Sequence, residues 1–362
     1  MAEPLLSAYL NAKGCREALP VSGNFELTAR CNFSCPMCYV HTGHSPAAQT
    51  RRELTTDEWL ALAAEARERG MLFLLLTGGE PLLREDFPQL YEALIKMGLM
   101  ISINTNASLY TPQLRKLFLR HPPARIHATL YGAGEETYAA QCGRPAFSCV
   151  LRNLQQMKAD GLPVGLNVSF TPCNIADMES VAALARKLDL PARAACYMYP
   201  PVRSASLIGH NPGRLSPEEA GRAMARWHRI WDDRRPPPAC TRSTEQSAHP
   251  HPDSRLCRAG RSSFWITWDG RMLPCGTMGS EGAYPLRVGF DRAWEQTRAA
   301  AAAFTLPAPC RSCPRQSLCP VCPSACLAET GGFAAPPPYL CAMAAAMENT
   351  LRQQAAGSEE SP

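Results

Sequence analysis

With 362 residues, 46% of them hydrophobic and 19% charged, the chain exceeds what one ordinary core of ~150 residues requires, so one large domain plus a smaller one is expected. The net charge of +5 is spread through an Arg-rich sequence without a basic block, and no stretch approaches the ~20 apolar residues of a membrane span, which argues against nucleic acid and membrane as partners. Seventeen cysteines without an amino-terminal apolar run argue against export and a disulfide framework, so reduced, largely metal-bound thiols in a cytoplasmic setting are expected.

Residues 1–23 read as an amino-terminal extension. From there to about residue 200, short apolar runs alternate with helical patterns, the signature of repeated β/α units and a parallel sheet. Six strands are expected: Asn24 to Ala29, Met71 to Leu76, Leu99 to Asn104, Arg125 to Leu130, Val164 to Phe170 and Ala194 to Tyr199. Thr55-x-x-Glu58 forms a capping box that opens a helix stopping at Gly70. Another helix starts at Thr111 with Pro112 in its first turn, and a third runs from Ser148 to about Lys158. Six units fall short of the eight of a closed barrel, so residues 24–215 are expected to form an α/β, open, partial (β/α)6 TIM-like barrel.

Ser216-Pro217-Glu218-Glu219 announces a further helix, and a Pro-rich linker follows from Arg234 to about Ser254, so that residues 216–256 join the two domains. Phe264 to Trp268 alternates and meets Asp269-Gly270, a dipeptide preferred in hairpin turns. The Ala-rich stretch Arg298 to Ala303 reads as helix. Residues 257–345 form the expected small Cys-rich domain, and residues 346–362 a frayed tail.

Cys31, Cys35 and Cys38 follow the first strand with the spacing C-x3-C-x2-C. Three thiolates leave a tetrahedral site one ligand short, which suits a four-iron cluster with one open iron; zinc completed by His41 or His44 is the plainer alternative. The second strand ends in Thr77-Gly78-Gly79-Glu80-Pro81, whose glycines allow close backbone approach and whose Glu80 can accept hydrogen bonds from an ammonium group. Both loops fall at the carboxyl end of a parallel sheet, where barrels build active sites, and should face one mouth.

The string Cys31-Asn32-Phe33-Ser34-Cys35-Pro36-Met37-Cys38-Tyr39, with Gly78-Gly79-Glu80-Pro81, resembles the signature of radical S-adenosylmethionine (SAM) enzymes over about residues 24 to 200. The resemblance implies a [4Fe-4S] cluster on the three cysteines whose open iron binds the amino and carboxylate groups of SAM. It further implies reductive cleavage of SAM to a 5′-deoxyadenosyl radical that abstracts hydrogen, with an external one-electron donor such as flavodoxin or ferredoxin. By the same likeness Gly78, Gly79 and Glu80 contact the methionyl amine and Met37 sits beside the adenine, where many members carry an aromatic residue. Asn104, Asn106, Thr129 and Asn167 are the candidates for ribose contacts, against the plainer reading that strand-end asparagines satisfy local backbone.

In the last third, Cys257-x12-Gly270-x4-Cys275 is followed by Cys310-x2-Cys313-x5-Cys319, Cys322-x3-Cys326 and Cys341, eight thiols in 85 residues. The arrangement is similar to the SPASM domain, which implies one or two auxiliary [4Fe-4S] clusters: one on Cys257, Cys275 and Cys322, another on Cys310, Cys313, Cys319 and Cys341. Only two residues separate Cys319 from Cys322, so whether Cys322 or Cys326 is the ligand stays open, and His251 stands where fully ligated members have another cysteine. The first cluster keeps an open iron or is completed by Cys326, Cys240 or His251, and a pair of zinc knuckles is the plainer alternative for the region. Cys15, Cys142, Cys149, Cys173 and Cys196 read as small apolar fillers.

SPASM-bearing relatives commonly modify ribosomal peptides or proteins, and peptide or protein maturation is the expected activity. A small-molecule substrate such as a haem precursor is the alternative, and a non-catalytic iron-sulfur or zinc module for electron transfer or docking is the reading from another class. Only about twenty residues precede the first strand, too few for a fused peptide-recognition domain, so a separate leader-binding protein is a possible partner. Gly276 replaces the aspartate that follows the corresponding cysteine in sulfatase-maturing relatives, which disfavours that chemistry. Tyr39, His41, Glu80, Asp86 and Tyr131 are near-mouth proton-transfer candidates, none of which earns a catalytic assignment.

Overall fold

The computed structural model describes residues 5–40, 52–201, 207–231, 257–279 and 282–359. After a helix at Leu5–Glu17, six strands run parallel: β1 Ser22–Glu26, β2 Phe73–Thr77, β3 Met100–Thr105, β4 Arg125–Thr129, β5 Val164–Ser169 and β6 Ala192–Ala195. Two more, β7 Ser263–Ile266 and β8 Met272–Leu273, complete an eight-stranded sheet of order β6-β5-β4-β3-β2-β1-β7-β8. The α/β, parallel-dominated sheet agrees with the partial TIM-like barrel expected from the six β/α units.

Alternation within each strand separates two faces. Phe25, Leu74, Leu76, Ile101, Ile103, Ile126, Ala128, Leu166 and Val168 are buried in one apolar core with residues of the covering helices, among them Trp59, Leu62, Leu90, Leu114, Leu154 and Val181. The intervening positions, including Asn24, Ser102, Asn104, Arg125, His127 and Asn167, are polar and belong to the other face. Phe25 and Trp59 meet at 4.8 Å between ring centroids, fixing the first helix of the barrel on β1.

Local signals set the helix boundaries. Thr55 caps the helix Thr56–Glu68 in a capping box with Glu58, and Thr111 caps Pro112–Arg120. Ser216 and Glu219 exchange bonds at the start of Pro217–Trp231, the Ser216 N–H reaching Glu219 Oε2 at 3.0 Å. At the hairpin, Gly270 adopts φ +86° and its N–H reaches Thr267 O at 2.8 Å.

Three expectations need correction. The sixth strand lies at Ala192–Ala195, not Ala194 to Tyr199, because the ladder is set by Leu166 opposite Ala192 and Tyr197 is drawn away to donate to Glu329 at 2.8 Å. The Phe264 ribbon, assigned to the small Cys-rich domain, instead extends the sheet of the barrel: β7 pairs parallel with β1, Ser22 opposite Ser263. The supposed frayed tail from residue 346 continues the 22-residue helix Pro338–Glu359, which packs on Pro217–Trp231. A Cβ at Gly221 would lie 2.3 Å from Met343 O, so a bare backbone at the crossing lets the two helices approach. The Pro-rich linker, with Cys240 and His251, lies outside the described residues, as do His41 and His44.

Candidate functional site

The loops after β1 and β2 are laced together by main-chain bonds at the carboxyl edge of the sheet. Leu27 N–H donates to Thr77 O, Gly79 N–H to Thr28 O and Glu80 N–H to Arg30 O, each at 2.8 Å. A Cβ on Gly78, which has φ +151°, would lie 2.5 Å from Thr28 O, and one on Gly79 2.3 Å from Arg30 O. The close approach that the glycine pair permits is therefore first of all an approach of the two loops to each other. Buried Arg84 secures the same corner by donating to Leu27 O at 2.9 Å and Leu54 O at 3.0 Å while pairing with Asp86.

Glu80 is 0% exposed and ties β2 to the end of β3. Its carboxylate accepts from Leu82 N–H at 3.1 Å, Thr105 Oγ1 at 2.8 Å and Asn106 N–H at 2.7 Å. Burial pushes its pKa up to about 7 against the pull of these donors. Asp86 behaves otherwise: burial raises its pKa, but bonds from Arg84 and Thr56 outweigh it and hold the carboxyl below its usual range, as suits an ion-pair partner.

The three thiols share one short loop. Phe33 N–H donates to Cys31 Sγ at 3.4 Å, and Cys38 N–H to Cys35 O at 3.1 Å closes the turn between the last two. Burial lifts the Cys31 thiol to about 11, and the charges of Glu80, Cys35 and Cys38 add to the rise. Cys35 moves the other way, because the Cys142 thiol donates to it and Tyr131 adds a second bond. Cys142, expected to be only a filler, is buried in the core and also touches a member of the trio, while Cys173 is exposed and fills nothing.

Met37 is 8% exposed and held from three sides. Gln141 Nε2 reaches its sulfur at 3.0 Å, Asn211 Nδ2 its carbonyl at 3.2 Å, and a Cβ at Gly213 would lie 2.6 Å from its nitrogen. These three positions had no signal in the sequence, being 104 or more residues from Met37 and isolated within their own segments. Of the four strand-end candidates, Asn104 and Asn167 line one cavity, and Thr129 stands opposite Asn167 in the ladder. The Asn106 side chain instead holds the thiol loop, donating to Asn32 Oδ1 at 2.8 Å and accepting from Ser108.

The carboxyl-terminal thiols divide by proximity. Cys257, Cys275 and Cys322 interact with one another, each of the first two raised in pKa by burial and then by its thiol neighbours. Cys310, Cys313, Cys319 and Cys341 form a second set with mutual repulsion. Cys326, fully buried, has Cys310, Cys322 and Cys319 as neighbours, and burial pushes its thiol up to about 12. Cys322 caps the helix Pro323–Thr330, its sulfur accepting from Ala325 N–H at 3.4 Å. Among the described residues, no three His, Cys, Asp or Glu side chains converge on the position of a single ion.

The open parallel barrel carries a thiol trio on its first mouth loop and further grouped thiols in its carboxyl-terminal third. Clustered thiols whose charges repel one another, with backbone N–H groups aimed at sulfur, are the donor set that cubane clusters require. A family model described as the radical SAM superfamily matches residues 25–185. The chain thus carries a radical SAM domain over these residues and is an enzyme; that superfamily uses a [4Fe-4S] cluster and SAM, and the carboxyl-terminal third of this chain is rich in cysteine.

Among curated relatives, an AdoMet-dependent heme synthase of Methanosarcina barkeri is 24% identical over 337 residues, 87% of this chain and 94% of the relative. An Fe-coproporphyrin III synthase of the same organism is 26% identical over 200 residues, 55% of this chain and 49% of the relative. The fold is shared with anSMEcpe bound to AdoMet and the Cp18Cys peptide: TM-score 0.70, 15% identity, covering 93% of this chain and 98% of that one. Among the described residues, no helix is long and apolar enough to cross a membrane.

Proposed function

We propose that Cys31, Cys35 and Cys38 hold the SAM-binding cluster, and that the loop of Gly78, Gly79 and Glu80 orients the methionyl end of SAM beside it. The observation that supports this is the lacing of these two loops at the carboxyl edge of β1 and β2, which brings the thiol trio and the Gly-Gly-Glu segment to one mouth. When bound, the cluster and SAM supply one-electron cleavage of the sulfonium to a 5′-deoxyadenosyl radical that abstracts hydrogen from the substrate. The chain's own residues do the positioning. Glu80 fixes the β3 end, Met37 offers an apolar wall for adenine, Asn104, Thr129 and Asn167 are placed for the ribose, and Asn106 steadies the thiol loop. Cys257, Cys275 and Cys322 form one auxiliary site and Cys310, Cys313, Cys319 and Cys341 another, with a flavodoxin or ferredoxin as electron donor.

For the substrate we infer a small carboxylated molecule of the haem-precursor kind, because the heme synthase relative aligns with this chain nearly from end to end. Peptide maturation is the second reading, favoured by the whole-chain fold likeness to a peptide-bound enzyme. The test is anaerobic purification with iron and sulfide counts and SAM cleavage under dithionite. About twelve irons per chain are expected, falling to about eight in the combined Cys31→Ala, Cys35→Ala, Cys38→Ala variant with loss of 5′-deoxyadenosine. A zinc-bearing, iron-poor protein that gains nothing on reconstitution overturns the reading.

A further inference from the structure

Gln141 lies in the helix Glu135–Cys142, whose carboxyl end rests on the thiol loop: Ser34 N–H donates to Cys142 O at 2.8 Å. Gln141, Thr171 and Asn174 are each 1% exposed and form a relay that ends on Met37. Asn174 directs its amide hydrogens at two main-chain carbonyls, Tyr131 O at 2.9 Å and Ser169 O at 2.8 Å, which turns its oxygen to accept Thr171 N–H at 2.7 Å. The Thr171 hydroxyl accepts from Cys173 N–H at 3.2 Å and donates to Gln141 Oε1 at 2.6 Å. With its oxygen so engaged, the Gln141 amide aims its nitrogen at Met37, and Nε2 reaches the sulfur at 3.0 Å. A thioether accepts and has no hydrogen to give, so the reversed amide would set two acceptors against each other. A polar relay buried at this depth holds one arrangement when each member has a partner, as each does here.

We propose that Gln141 is a positioning residue for SAM: oriented by Thr171, it pins the Met37 thioether, so that a flexible side chain presents adenine with a fixed apolar surface. The inference rests on the SAM-site reading above, in which Met37 stands beside adenine, and deepens it. Methionine is unbranched with three rotatable bonds, so an unpinned Met37 gives up rotamer freedom each time a ligand orders it. A side chain already held at its sulfur has given up that freedom on folding, and the ligand binds without that cost. Among the described residues, two side chains hydrogen-bond Met37; Asn211 takes the main-chain carbonyl and Gln141 the sulfur. A role confined to joining the helix Glu135–Cys142 to the end of β5 needs the Thr171 bond and not the sulfur contact, and there the two roles part.

The experiment measures SAM affinity of the cluster-loaded enzyme by anaerobic equilibrium dialysis without reductant, so that no turnover occurs. Gln141→Leu is expected to weaken SAM about fivefold while iron content stays at the wild-type level. In a Met37→Leu background, which offers no sulfur to pin, the same substitution should change affinity by less than about twofold, and this coupling is the signature of action through the thioether. Thr171→Val should reproduce the loss, and Thr171→Ser, which keeps the hydroxyl, should recover most of it. Unchanged SAM affinity in iron-loaded Gln141→Leu, or an equal loss with and without the Met37 sulfur, overturns the inference. If Gln141→Leu does not load iron, the Thr171 pair decides, and equal affinity of its two members overturns it. Met37→Ala keeps the two readings apart. A loss of SAM affinity there with none in Gln141→Leu sinks this inference alone, whereas unchanged affinity in Met37→Ala removes Met37 from the adenine site and the inference with it.

Discussion

The Tyr199 hydroxyl lies 3.5 Å from Cys322 Sγ, joining the segment that leaves the last parallel strand to a thiol of the carboxyl-terminal third. The two residues are 123 apart in sequence. Burial, followed by the neighbouring thiol charge, keeps the Tyr199 phenol far above its usual pKa, so it stays protonated beside the sulfur. Asn211, which holds the Met37 carbonyl, also donates to Tyr199 O at 2.6 Å, so the thiol loop and the second thiol set bear on one short stretch of chain.

Hydrogen bonds to cluster sulfur make reduction easier, so Tyr199→Phe should lower the midpoint potential of one auxiliary centre by on the order of tens of millivolts. Iron content should not change. An anaerobic redox titration followed by electron paramagnetic resonance checks both.

Cys322 and Cys326 should separate cleanly. Cys322→Ser is expected to cost the iron of the Cys257, Cys275 and Cys322 site, roughly four atoms per chain, whereas Cys326→Ser keeps its iron and loses stability through its buried position. Iron counts beside thermal melts decide it, and equal iron loss in the two variants would contradict the grouping.

Gly79→Ala introduces a methyl group where Arg30 O would be 2.3 Å away and Ala29 O 2.9 Å away. Both obstacles are backbone, so the loops must part. The expected cost is about 1–3 kcal/mol of stability together with loss of measurable SAM binding, read by denaturant unfolding and equilibrium dialysis.

His127 ties stability to pH. Its folded pKa of about 4 lies below the ordinary 6.5, so between these values the unfolded chain binds more protons than the folded one. Its contribution is complete above 6.5 and is lost as pH falls through about 4, amounting to at most about 3 kcal/mol. His127→Gln should flatten the stability profile over this interval, measured by urea unfolding at a series of pH values.

At the helix crossing, Gly221→Leu should destabilise by about 1–3 kcal/mol, because Met343 O and the Ala346 methyl occupy the space the side chain needs. Truncation after residue 345 should be harmful for the same reason. Melting temperatures of the two variants check the claim.

Much of this was legible because the signals are local. A capping box needs only Thr55 and Glu58, a hairpin turn only Asp269 and Gly270, and five of the six expected barrel strands fall within a few residues of their places because apolar alternation marks them. The sixth failed where a long-range tie, Tyr197 to Glu329, outcompeted β propensity. The long carboxyl-terminal helix was misread for a related reason: its Ala-rich, weakly patterned sequence becomes intelligible only beside the helix that covers it.

The sequence by itself determined the chemistry, because the thiol spacing and the Gly-Gly-Glu loop are each written within a few consecutive residues. Tertiary structure alone decided which thiols belong together, that Cys142 reaches Cys35, and that Arg125, His127 and Arg193 share one cavity. Those relationships join residues on different strands and loops, and strand register and helix packing create them only when the chain closes on itself.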